Sequence, residues 1–137
     1  MSRRCLGTRL RLVPSPCEIH PDHRAVAEAA YEVVATTRPG DLDHATVRRI
    51  RIGFYEITQP ILPNALVPLA EHADAKRRAI ARFASQAAVR DYAGAVEGLN
   101  AYRALTLDGS GPAESFRVVP AAEAVVRPLS ELRRDIR

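Results

Sequence analysis

Apolar residues recur along this 137-residue chain at two spacings, and the switches between them mark alternating strands and helices. Arg9-Leu10-Arg11-Leu12-Val13 alternates polar and apolar before Pro14-Ser15-Pro16, the pattern of a short strand and its exit loop. Pro21 suits the first position of a helix that runs to the Pro39-Gly40 stop, with Val26, Ala29, Ala30, Val33 and Val34 on its predicted inner face. Period two returns over 47–57, where Ile50, Ile52 and Phe54 oppose Arg49, Arg51 and Tyr55. The loop 59–64 is stiffened by Pro60 and Pro63, and a short apolar piece, Ala65-Leu66-Val67, follows it.

The spacing predicts helices over 71–85, with Ala75, Ala79, Ile80 and Phe83 on one side, and over 89–105. A turn at 108–112, a strand at 116–119 and a terminal helix over 121–137, broken at Pro128, complete the chain. Strand, helix, strand, strand, helix, helix, strand, helix is the order of a layered α/β fold, with a parallel sheet short of strands.

The length fits one domain spanning 1–137. Apolar residues make up 47% but aromatics only 5%, without Trp, so the core is expected to be aliphatic and alanine-lined. The net charge of +4 comes from basic residues that are all arginine except Lys76, scattered along the chain. A nucleic-acid binder would gather them into a stripe, so no nucleic-acid partner is expected. Two cysteines, Cys5 and Cys17, make neither a disulfide framework nor a zinc knuckle, and a reduced, cytoplasmic setting is expected. There is no apolar run of signal-peptide length and no stretch of eighteen apolar residues, hence no expected transmembrane segment.

The densest chemistry is Cys17-Glu18-Ile19-His20-Pro21-Asp22-His23-Arg24, where the first strand gives way to the first helix. In open α/β sheets, ligands collect beyond the carboxyl ends of the strands. With Pro21 opening the helix, His23 falls in the first turn, where the dipole favours the neutral imidazole that binds metal. His20, just ahead, could donate to an oxyanion on a metal-bound substrate, and Asp22 could orient His23 through its other nitrogen. A plainer account has His20 capping the helix, Asp22 favouring its positive end and His23 as a surface residue. His44 and His72 read as exposed. Ser15 lacks a glycine-flanked elbow, and Cys17 with His20 lacks a third partner, so both are poor nucleophile candidates.

Taken in order, Pro14-Ser15-Pro16, His20-Pro21-Asp22-His23-Arg24, Phe54-Tyr55-Glu56 and Pro60-Ile61-Leu62-Pro63-Asn64 resemble the LmbE-like, or PIG-L, family of zinc-dependent N-acetylglucosaminyl deacetylases. Ser85-Gln86, Gly98-Leu99-Asn100-Ala101-Tyr102-Arg103 and Ala113-Glu114-Ser115-Phe116 extend the resemblance, which spans Leu10 to Phe116. It implies a Rossmann-like three-layer fold and hydrolysis of the N-acetyl group of an amino sugar, free or in a glycoconjugate. By the same resemblance His23 binds zinc, His20 assists at the oxyanion and Asp22 supports the site. The family's Ala-His-Pro-Asp-Asp-Glu element, which brings the other protein zinc ligands and the general base, has no counterpart in this sequence, and Pro68 stands where many relatives have Asp. The expectation is therefore the C-terminal portion of one deacetylase domain, with the N-terminal part of the sheet missing. Such a fragment would be inactive alone, exposed at a sheet edge, and open to an N-terminal half or a second copy as partner. The alternative expectation is a non-catalytic remnant or interaction module that keeps the deacetylase scaffold.

Overall fold

The computed structural model of the chain describes residues 9–41, 44–107 and 111–137. Cys5, the side chain of His44 and most of the turn expected at 108–112 lie outside the described residues. The protein is α/β, with a four-stranded sheet ordered β1-β2-β4-β3: β1 (Arg9–Pro14), β2 (Ile50–Tyr55), β3 (Ala65–Pro68) and β4 (Ala113–Pro120). β1 and β2 are parallel, and helix α1 (Pro21–Thr36) makes the crossover that a parallel pair requires. β4 runs antiparallel to β2, so the sheet is mixed rather than parallel throughout. The chain divides into two compact units, Met1–Ala65 with Phe116–Arg137, and Leu66–Ser115.

In the first unit, Ile52 and Phe54 of β2 and Val119 of β4 are buried on one sheet face against α1, α6 (Ala121–Val126) and α7 (Leu129–Ile136). This core is mainly aliphatic and alanine-lined around Phe54 and Tyr31, and the terminal helix does break at Pro128. The inner face of α1 differs from the predicted one. Ala27, Tyr31 and Val34 are buried, whereas Val26 and Val33 are at least half-exposed. Tyr31 sets that rotation: its ring carries more apolar area than any valine of the helix, and its buried hydroxyl donates to the Arg127 carbonyl at 2.6 Å. A short helix, α2 (His44–Val47), takes up the beginning of the span predicted as strand, so β2 starts at Ile50.

The second unit contains α3 (Ala73–Ala81), α4 (Ala84–Ala87) and α5 (Tyr92–Arg103). The helix expected over 71–85 is interrupted at Phe83, whose backbone (φ −86°, ψ 60°) leaves the helical region. α3 half-buries Ala73, Lys76 and Ile80, and Phe83 is 65% exposed, contrary to the predicted face. A polar cluster accounts for the difference. Lys76 Nζ donates to Asn100 Oδ1 of α5 at 2.9 Å and pairs with Glu114 at 2.6 Å, while Asn100 Nδ2 donates to the Ala113 carbonyl at 2.8 Å. α5 begins at Tyr92 because Asp91 caps it, accepting from the Gly94 amide at 2.9 Å. Among the described residues no helix is long and apolar enough to cross a membrane.

Candidate functional site

Because β1 and β2 are parallel, their carboxyl ends lie together, with Pro14 level with Tyr55. The Ser15 amide continues the ladder to the Tyr55 carbonyl at 2.9 Å. The buried Ser15 hydroxyl is turned into its own loop, where it accepts from the Cys17 amide at 3.1 Å. Cys17 is a half-buried free thiol that donates weakly to the Arg133 carbonyl at 3.6 Å. Neither is placed as an activated nucleophile, and His72 is exposed as expected.

The residue that organises this end of the sheet is Glu18, which is 2% exposed. Its carboxylate accepts from the amides of Ile57 at 2.8 Å, Thr58 at 3.1 Å and Gln59 at 3.3 Å, and from the Thr58 hydroxyl. One side chain from the loop after β1 thus satisfies three consecutive backbone donors of the loop after β2. Such convergence offsets the cost of burying a carboxylate. Arg24, one turn into α1, reaches back to the Glu18 carbonyl at 2.9 Å and to that of Ile19, closing the loop from the helix side. Burial, and after it the charge of Glu18, raise the Tyr55 hydroxyl above its ordinary value of 10.

On that platform His20 is the N-cap of α1, its Nδ1 accepting from the Asp22 amide at 3.2 Å. The cap role of the plainer account is therefore real, and it has a chemical consequence. With Nδ1 used as acceptor, the proton of the neutral ring sits on Nε2, which is left as an outward donor. His23 lies one turn along, its ring centroid 5.0 Å from that of His20, and its Nδ1 is shielded from solvent without a hydrogen-bond partner among the described residues. Asp22 is set against His20, with a carboxylate oxygen 3.8 Å from His20 Nδ1, and not against His23 as expected. Adjacent helical residues diverge by about 100°, so Asp22 and His23 cannot share a face.

The sequence reading did not single out Glu18. The signal available was a lone carboxylate between a proline-rich stop and a helix cap, a position where an unpaired charge would be costly. As a metal centre the described residues are incomplete: no group of three or more His, Cys, Asp or Glu side chains converges among them. A catalytic zinc ordinarily needs three protein ligands, so His23 alone does not make one. No family model matches the chain, and no curated protein or solved structure is detectably similar to it.

Proposed function

We propose that the chain is one part of a zinc-dependent hydrolase that removes the N-acetyl group from an N-acetylglucosamine-type amino sugar, in a Rossmann-like fold of the LmbE or PIG-L kind. The observation that carries this reading is the His20–His23 pair beyond the joined ends of two parallel strands, with His23 Nδ1 unpartnered among the described residues. In this reading His23 is a zinc ligand, His20 offers its Nε2 proton to the substrate oxyanion, and Asp22 holds the His20 ring through its backbone amide. The remaining ligands and the general base come from another segment or chain, and the 15.0 kDa chain alone does not turn over.

The incomplete ligand set favours a second reading, a non-catalytic interaction module on the same scaffold. Acetate release from N-acetylglucosamine and from an N-acetylglucosaminyl glycoconjugate separates the two. The hydrolase reading predicts release that a chelator abolishes in the native assembly and none from the isolated chain. Absence of release from the native assembly, with binding indifferent to chelator, would establish the module instead.

A further inference from the structure

Among the described residues β1 is the terminal strand of the sheet, paired on one side. The Arg9 amide donates to Arg49 and the Ser15 amide to Tyr55, so odd-numbered residues turn their backbone groups toward β2. The amides and carbonyls of Leu10 and Leu12 therefore point outward, and no described strand takes them. The two leucine side chains lean over Gly53, whose Cα lies so close that an added Cβ would meet Leu12 Cδ2 at 2.7 Å. They are nevertheless 49% and 53% exposed, on the sheet face opposite Ile52 and Phe54. Parallel pairs are ordinarily covered on both faces, and an edge with free main-chain groups can accept a strand whose side chains match those flanking it.

The flanking side chains say which strand. Arg9 and Arg11 point to the other face, both exposed, and neither makes an ion pair among the described residues. An incoming strand thus meets leucine on one face and arginine on the other. A second copy is a poor match. Antiparallel two-fold registers centred on Leu10 or Arg11 set arginine against arginine, and the register centred on Leu12 brings in Pro14, which has no amide to give. We propose that the outer edge of β1 docks an extended segment of a partner polypeptide whose residues alternate between apolar, against Leu10 and Leu12, and acidic, against Arg9 and Arg11. Main-chain hydrogen bonds supply affinity and the alternation supplies selectivity. This does not depend on the hydrolase reading.

The test uses the full chain with two soluble peptides, one alternating valine with glutamate and one alternating valine with lysine, read by amide hydrogen exchange and fluorescence anisotropy. The glutamate peptide should slow exchange at Leu10 and Leu12 while leaving Arg11 and Val13, already bonded to β2, unchanged. It should bind about tenfold tighter than the lysine peptide. Reversing both charges (Arg9→Glu with Arg11→Glu) should invert that preference, and Leu12→Pro, which removes an outward amide and the leucine side chain but no hydrogen bond to β2, should abolish binding while circular dichroism is retained. The proposal is overturned if neither peptide protects Leu10 and Leu12, if the preference survives charge reversal, or if these amides become protected by raising the protein concentration alone, the mark of a second copy.

Discussion

Replacing Glu18 with alanine removes the acceptor of three backbone amides and one hydroxyl in a place that solvent barely reaches. A hydrogen bond to a charged group contributes about 1.5–3 kcal/mol, and a stranded buried donor costs a similar amount. The four donors share two oxygens, and the Gln59 contact is long at 3.3 Å, so the contributions do not simply add. A loss of about 3–5 kcal/mol is expected, a large part of a total stability of about 5–15 kcal/mol. Glu18→Gln should cost less, since one oxygen still accepts while the new amide group opposes donors. Urea denaturation followed by far-ultraviolet circular dichroism measures these differences, with the exposed Glu32→Ala as a control expected within about 0.5 kcal/mol of the parent. The reasoning is refuted if Glu18→Ala behaves like Glu32→Ala and the amides of Ile57 and Thr58 exchange no faster than before.

Tyr31→Phe should cost about 1–2 kcal/mol near neutrality by stranding the Arg127 carbonyl. Burial, then the charge of Glu123, raises the Tyr31 hydroxyl above 10, so the folded state keeps its proton where the unfolded chain loses it. That contribution is complete below pH 10 and declines as pH rises through the raised value, so urea titrations at increasing alkaline pH should show a shallower decline for Tyr31→Phe than for the parent. His20→Ala should lose about 1 kcal/mol with the cap, and His20→Asn should restore it; thermal melts read the cap, while acetate release by the native assembly should stay impaired in both. Asn100→Ala should destabilise the second unit by about 2 kcal/mol by stranding the Ala113 carbonyl and one partner of Lys76, seen as faster exchange confined to α3 and α5.

Local chemistry made much of the fold legible. Proline and glycine marked where elements begin and stop, Pro21 and Pro128 most clearly, and period-two alternation assigned the two faces of β2. The errors arose where a longer-range interaction outweighed periodicity. Tyr31 turned α1 by burying its ring beneath α6, and Asn100 drew the stem of Lys76 inward, so that a lysine occupies the packed face of α3 in place of Phe83. The candidate site was legible only in its local residues. Residue type and order made His20, Asp22 and His23 candidates but did not show Asp22 set against His20, and Glu18 acquires its role only from amides 39 to 41 positions away, which no local pattern encodes.

Native mass spectrometry of the protein isolated from its own cells, beside the same preparation carrying His23→Ala, tests the central claim most directly. The account predicts a zinc-bearing species heavier than the 15.0 kDa chain, losing its zinc and its acetate release together in the variant. A lone 15.0 kDa chain that releases acetate, or an assembly whose zinc and turnover survive His23→Ala, would contradict it.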